Sequence, residues 1–130
     1  MTKKRALITG GGGEIGRAIC QRLANDQMHV IVHTGHHYER AEVVADLILA
    51  EGGSAETTIF DVTDEVATHQ ALMGLLEAGP IQVLVNNVGI HDDAPLAGMK
   101  PSQWQRVIEV SLHGFFNVTQ PLLLPMMATR

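Results

Sequence analysis

Residues 6–16 read Ala-Leu-Ile-Thr-Gly-Gly-Gly-Gly-Glu-Ile-Gly, and this stretch decides the fold class. The apolar run 6–8 leads directly into the glycine-rich segment, and a helical apolar pattern begins at Ile15. A strand, a glycine turn and a helix in this order present backbone N–H groups and a helix N-terminus to a phosphate. Side chains larger than hydrogen would block that approach. The stretch therefore predicts a βα unit that binds a dinucleotide.

Composition and charge restrict the class of protein. The chain has 130 residues, which predicts one domain covering 1–130, and its 45% hydrophobic and 18% charged residues are typical of a globular protein. The net charge of −5 argues against nucleic acid as a partner, since 3–5 is the only basic block. Cys20 is the only cysteine and is expected in the core. No apolar run reaches the roughly 18 residues that span a membrane, so we expect a cytoplasmic protein without membrane contact.

Strand and helix patterns alternate along the chain. Strands are predicted at 5–9, 29–33, 55–60 and 81–86, and helices at 15–25, at 38–50, after an N-cap at Thr63, and from 101 to about 127. Pro121 is expected to kink or interrupt the last helix. Repeated βα units predict an α/β fold: a three-layer, Rossmann-type, doubly wound parallel sheet, truncated after about four strands, with strands one and four adjacent.

The glycine turn fits two motifs. Gly11-x-Gly13-x-x-Gly16 matches the common dinucleotide motif, which expects an acidic residue at the end of strand two, and 33–37 contains none. The alternative, Thr9-Gly10-x-x-x-Glu14-Ile15-Gly16, resembles the Thr-Gly-x-x-x-Gly-x-Gly turn of short-chain dehydrogenases/reductases, with Glu14 at the position of the middle glycine.

Three later segments strengthen that resemblance. Asp61-Val62 follows strand three, 86–89 (Asn-Asn-Val-Gly) resembles the family's Asn-Asn-Ala-Gly turn, and 104–120 resembles the helix that comes next. The whole chain is similar to the N-terminal half of this family, and among its branches to the 3-oxoacyl-(acyl-carrier-protein) reductases. The resemblance implies an NAD(P)-dependent oxidoreductase that reduces a small carbonyl or oxidises an alcohol.

The resemblance also implies which residues bind the cofactor. The turn would let the backbone approach the pyrophosphate, Asp61 would accept from the adenine amino group, and 87–89 would line the adenosine ribose. The full predicted set is Gly10, Gly12, Gly13, Glu14, Ile15, Gly16, Thr34, Asp61, Val62, Asn87, Val88 and Gly89.

The end of strand two bears on the choice between NADP and NAD. Thr34 stands where an acid would repel a 2′-phosphate, and Arg17, His36 and His37 are near in sequence, which favours NADP. Gly13, where the family often has a basic residue, points the other way and keeps NAD open.

Histidines and nearby acids raise the question of a metal. His33, His36 and His37 have no carboxylate or thiolate close in sequence, so we expect solvated surface histidines and no metal site. His91, Asp92 and Asp93 are expected on a solvent-facing loop.

Catalytic residues are where the chain departs from the family. The family uses Asn, Ser and a Tyr-x-x-x-Lys pair, but Tyr38 is followed at the fourth position by Glu42, and the lysines are Lys3, Lys4 and Lys100. Ser111 stands at the family's asparagine position, so no catalytic residue is assigned. We expect the catalytic Ser/Tyr/Lys half to be absent and reductase activity to be negligible.

Two functions remain open for the sequence. The first is the cofactor-binding part of an oxidoreductase. The second is a non-catalytic nucleotide-binding or oligomerisation protein built on half a Rossmann fold. The family's long helix forms a dimer contact, so its apolar stripe (Trp104, Phe115, Phe116, Met126, Met127) is expected in the core or in a subunit interface of a homo-oligomer.

Overall fold

A computed structural model describes residues 3–89 and 94–129 of the chain. His91, Asp92 and Asp93 lie outside the described residues. The first part alternates strand and helix: β1 (Arg5–Ile8), α1 (Glu14–Asn25), β2 (His29–Thr34), α2 (Tyr38–Ala50), β3 (Ser54–Ile59), α3 (Glu65–Glu77) and β4 (Val83–Val85). A 3-10 turn (Leu96–Gly98) precedes α4 (Pro101–Ile108), a π-helical segment (Glu109–His113) and α5 (Gly114–Ala128).

The described strands form one parallel sheet in the order β3-β2-β1-β4. Ala6 of β1 is paired with Val30 of β2 on one side and with Val83 of β4 on the other. The predicted doubly wound order, with strands one and four adjacent, is therefore confirmed. All carboxyl ends point to the same edge of the sheet, where ligands bind in open α/β folds.

Two apolar clusters cover the two faces of the sheet. Side chains alternate between the faces along each strand, so Ala6 and Ile8 pack with α1 and α2, whereas Leu7 packs with α3 and α5. The three-layer prediction is thus confirmed. Cys20 belongs to the first cluster and is fully buried, as expected, and burial raises the pKa of its thiol to about 12.

The start of α3 differs from the prediction that Thr63 is its N-cap. Asp64 is the N-cap, and its Oδ1 accepts a hydrogen bond from the Ala67 N–H at 3.0 Å. Thr63 lies one residue before this cap, and its N–H and its hydroxyl both donate to Oδ1 of Asp61, at 2.9 and 2.7 Å. The Thr63 prediction is wrong because Thr63 belongs to the Asx turn formed by Asp61, and the helix begins after it.

The long C-terminal helix continues through the proline at which an interruption was predicted. α5 runs through both Pro121 and Pro125, so Pro121 does not interrupt the helix, and a kink there stays a prediction. Because proline has no backbone N–H, each of these prolines removes a hydrogen bond within the helix. Val118 and Leu122 are buried in the second cluster and hold α5 against the sheet despite that loss. The helical pattern changes instead at the π-helical segment Glu109–His113.

The aromatic residues of α4 and α5 are not core residues. Trp104 is 58% exposed and Phe116 is 60% exposed, and Phe115 is also exposed. The stripe was predicted to lie in the core or in a subunit interface. Their exposure excludes the core for these three residues. Among the described residues, no helix is long and apolar enough to span a membrane.

Candidate dinucleotide-binding site

A cleft of about 650 Å³ lies at the carboxyl ends of the strands. It is lined by all twelve residues predicted to bind the cofactor: Gly10, Gly12, Gly13, Glu14, Ile15, Gly16, Thr34, Asp61, Val62, Asn87, Val88 and Gly89. His33, Gly35, His36, His37, Arg40, Arg106 and Val110 complete the lining. Segments far apart in the sequence thus meet in one cavity, while the role of each residue toward a ligand stays a prediction.

The glycine turn is shaped by close backbone contacts. Gly10 has φ +65°, in the left-handed region that glycine adopts without strain. A Cβ atom on Gly16 would overlap the Gly10 carbonyl oxygen and lie 2.8 Å from Gly11 Cα. The turn therefore requires glycine at both positions, and it ends at Gly13, the N-cap of α1.

Thr9 and Asn87 join this turn to the turn after β4. The Thr9 hydroxyl accepts the N–H groups of Asn87 and Val88, at 2.9 and 3.2 Å, and donates to the Val85 carbonyl at 3.3 Å. The Asn87 side-chain amide donates to the Gly10 carbonyl at 3.2 Å. The sequence motif includes Thr9, but the role of its hydroxyl in joining the two turns was not predicted. The position of the Thr-Gly pair at the end of a strand is the feature that could have indicated this role.

Asp61 lies at the cleft on the turn that follows β3. The hydroxyl and the N–H of Thr63 donate to its carboxylate and hold its pKa below the usual value, while partial burial opposes them. The electrostatic effects of His36 and Arg106 on Asp61 act in the same direction as Thr63. The group is therefore a fixed carboxylate, able to accept a hydrogen bond from an amino group in the cleft.

His33 is a site residue that sequence reasoning assigned wrongly. It was expected on the solvated surface, but it belongs to β2 and is 1% exposed. Its Nδ1 accepts the Gly10 N–H at 3.0 Å, and its Nε2 lies 2.7 Å from the Phe60 carbonyl oxygen. Burial lowers its pKa to about 4, so the ring is neutral near pH 7. Its position at the end of a run of β-branched residues is the sequence feature that could have predicted its burial in β2.

Two histidines and an arginine gather at the end of β2. His36, His37 and Arg40 line the cleft there, and the Thr34 hydroxyl accepts the His37 N–H at 3.2 Å. Arg40, which sequence reasoning missed, packs so closely on Gly12 that a Cβ there would lie 3.0 Å from Arg40 Cβ. Arg17, which was expected nearby, is exposed on α1 and is not among the lining residues. Within 3–89 and 94–129, no His, Cys, Asp and Glu side chains are grouped to hold a metal.

Ser111 lies apart from the main cleft. It is in the π-helical segment and lines a small cavity of about 80 Å³ together with Thr9 and Asn86. The Asn86 side-chain amide donates to the Thr119 hydroxyl at 3.1 Å, which ties the turn after β4 to α5. Ser111 is thus close to the site without facing the same cavity as the glycine turn.

Comparison with known proteins identifies the family. The family model described as short chain dehydrogenase matches residues 4–130. The chain belongs to the short-chain dehydrogenase family. The resemblance inferred from the glycine turn, Asp61 and the 86–89 turn is therefore confirmed.

Curated relatives of this chain include two reductases and a nodulation protein. It is 34% identical to 3-oxoacyl-(acyl-carrier-protein) reductase FabG of Aggregatibacter actinomycetemcomitans, covering 95% of this chain and 52% of the relative. It is 36% identical to acetoacetyl-CoA reductase of Cupriavidus necator (95% and 50%), and 39% identical to nodulation protein G of Azospirillum brasilense (100% and 53%). The chain spans about half the length of the curated relatives it matches.

Solved structures of short-chain dehydrogenases share the fold. A gluconate 5-dehydrogenase from Burkholderia cenocepacia, in complex with NADP and tartrate, has a TM-score of 0.90 and 33% identity, covering 99% of this chain and 51% of that one. A metagenomic short-chain oxidoreductase in complex with NADP has a TM-score of 0.91 and 30% identity, covering 97% and 57%. The Rossmann-type fold is therefore confirmed.

Proposed function

We propose that this region binds NADP(H) in the cleft and is the cofactor-binding part of an oxidoreductase that interconverts a small carbonyl and an alcohol. The observation that carries the proposal is the convergence of the twelve predicted cofactor residues on one cavity at the carboxyl ends of parallel strands. Two similar solved short-chain dehydrogenases contain NADP, which supports the choice of ligand.

The residues of the cleft fit a dinucleotide. The Gly10–Gly16 contact leaves no room for a side chain, so backbone can approach the pyrophosphate, and the N-terminus of α1 favours its negative charge. Asp61 accepts from the adenine amino group, and Asn87, Val88 and Gly89 line the ribose. When bound, the nicotinamide supplies hydride transfer, and the residues of the cleft bind the cofactor that carries it.

The surroundings of the adenosine ribose favour NADP over NAD. The acid that would bind the ribose hydroxyls of NAD is replaced by Thr34, and His36, His37 and Arg40 line that part of the cleft. A guanidinium can pair bidentately with a phosphate, so Arg40 is the residue to test. Its counterpart control is Arg22, an exposed arginine of α1 that pairs with Asp26 at 3.3 Å.

The test is the affinity of the purified chain for NADPH and NADH, measured by isothermal titration calorimetry. We expect tighter binding of NADPH. Arg40→Gln should weaken NADPH binding about tenfold, as loss of a charge-assisted hydrogen bond does, with little effect on NADH. Arg22→Gln should change neither affinity. Tighter NADH binding would overturn the NADP preference, and absence of any binding would overturn the proposed function.

A second function, nucleotide binding without catalysis, is favoured by one observation. Ser111 stands at the position of the family's asparagine. Dinucleotide affinity is common to both proposals, so it does not separate them. They are separated by whether the sequence of the gene continues past Arg130 with a serine and a Tyr-x-x-x-Lys pair.

A further inference from the structure

We propose that His33 is a positioning residue for the dinucleotide: its buried ring holds the glycine turn in the shape that receives the pyrophosphate. The proposal rests on the proposed function of the cleft. It goes beyond it by assigning the shape of the turn to one side chain of a different strand.

Both amides that open the turn are bonded to His33. The Gly10 N–H donates to Nδ1 of the ring at 3.0 Å, and the Gly11 N–H donates to the His33 carbonyl at 2.8 Å. Gly10 has φ +65°, so the backbone reverses where the ring holds it. With these two amides turned toward β2, the residues that follow, 12–16, line the cleft.

The same ring also reaches the turn after β3. Its Nε2 lies 2.7 Å from the Phe60 carbonyl oxygen, and its centroid is 4.2 Å from that of the Phe60 ring. Since a carbonyl can only accept, Nε2 carries the proton and Nδ1 is the acceptor for Gly10. Phe60 immediately precedes Asp61, so one side chain links the turn for the pyrophosphate to the carboxylate for the adenine.

No apolar side chain can replace these two bonds. The ring is 1% exposed, so water cannot readily satisfy the Gly10 N–H or the Phe60 carbonyl if its nitrogens are removed. A His33→Phe variant keeps an aromatic ring at this position but leaves both groups without this partner. A buried histidine with only a packing role would predict that such a variant, once folded, binds the dinucleotide normally.

The experiment compares three variants of the full chain. His33→Asn keeps an acceptor near the position of Nδ1, His33→Gln keeps a donor near the position of Nε2, and His33→Phe keeps neither. His69→Asn, at an exposed histidine of α3, is the control. NADPH affinity is measured by calorimetry at a temperature where circular dichroism shows each variant folded. Proton–nitrogen correlation spectra and hydrogen exchange report on the Gly10 amide without ligand.

The proposal expects NADPH affinity to follow whether a variant keeps an acceptor for the Gly10 N–H. His33→Phe should weaken NADPH binding about tenfold, the effect of an unsatisfied buried donor, and His33→Asn should restore most of the loss. The Gly10 amide should stay protected in the wild type and in His33→Asn, and exchange faster in His33→Gln and His33→Phe. His69→Asn should change nothing.

The result that overturns the proposal is equal NADPH affinity in wild type and His33→Phe. If His33→Phe does not fold, the comparison of His33→Asn with His33→Gln decides, and equal affinity of these two overturns it as well. A wild-type chain that binds no dinucleotide overturns the proposed function and this inference together. If the wild type binds NADPH and the variants bind it with the same affinity, only the positioning role of His33 is overturned.

Discussion

Glu14 is the residue at which the glycine turn departs from its family. It is exposed, lines the cleft and is the first residue of α1, where a carboxylate favours the helix dipole but opposes a ligand phosphate. We expect Glu14→Gln to tighten NADPH binding severalfold, with a smaller gain at high salt because exposed charges are screened. Calorimetry at two ionic strengths measures it. Glu39→Gln, a first-turn acid of α2, is the control, and an unchanged or weaker affinity of Glu14→Gln would contradict the prediction.

His33 also makes stability depend on pH. Its pKa in the folded protein, about 4, lies below its ordinary value of 6.5, so between these values the unfolded chain binds more protons. Stability contributed by the neutral ring is full above 6.5 and is lost as the pH falls toward 4. The expected loss between pH 7 and pH 5 is about 2 kcal/mol.

Urea unfolding at these two pH values measures that loss in the wild type and in His33→Asn. The lowered pKa of Asp61 acts in the same direction, toward less stability in acid, and it is present in both proteins. The difference between the two proteins in the stability lost from pH 7 to pH 5 therefore gives the contribution of the His33 ring. Equal losses of stability in the two proteins would mean that His33 is not the group responsible for the pH dependence.

At the scale of elements, the contact between α5 and the turn after β3 depends on a glycine. A Cβ on Gly114 would lie 2.6 Å from Val62 Cγ2, and the Asn117 side chain donates to the Val62 carbonyl at 2.9 Å. We expect Gly114→Ala to cost about 1–3 kcal/mol through overpacking, although alanine is the better helix former.

Gly74 of α3 provides the matched control for that substitution. A Cβ there meets no atom within 4 Å, so Gly74→Ala should stabilise the protein by about 1 kcal/mol through helix propensity alone. Thermal and urea unfolding measure both variants. Equal effects of the two substitutions would show that the Val62 contact is unimportant.

Local patterns predicted most elements because each is encoded by its own residues. The predicted bounds of α2 are those observed, since an apolar face ends at a glycine pair. The buried ring of His33 was not predicted, because its burial depends on a distant partner, Gly10. The π-helical segment Glu109–His113 was not predicted either. The twelve cleft residues were found because motifs mark strand ends, whereas Arg40 lies inside a helix and carries no motif.

At the scale of the whole molecule, exposed apolar surface predicts association. Trp104, Phe115 and Phe116 are exposed on α4 and α5, and β4 has a described partner strand on one side only. We expect sedimentation velocity to show dimers or larger species and Phe116→Glu to reduce them. Leu49→Glu, at an exposed leucine of α2, should have little effect. A wild-type chain that is monomeric at high concentration would refute association.

The residues present also predict what the purified chain does with substrate. Hydride transfer to a carbonyl requires a proton donor near neutral pH, and the family's Tyr-x-x-x-Lys pair does not occur in these 130 residues. We expect binding of NADPH without measurable oxidation of it in the presence of a β-keto thioester, monitored by absorbance. Robust turnover by the purified 130-residue chain would overturn this prediction.

The hydrogen bond from Asn87 to the Thr9 hydroxyl joins residues that are 78 positions apart. Such a pairing forms only after β4 has been synthesised and the intervening loop has closed, so the glycine turn cannot complete the site by itself. A nascent chain that carries the complete glycine motif but lacks β4 would accordingly have no competent site. Because ligand binds only the assembled state, NADPH at about 100 times its Kd would add about 2.7 kcal/mol to the stability of the whole sheet, β4 included.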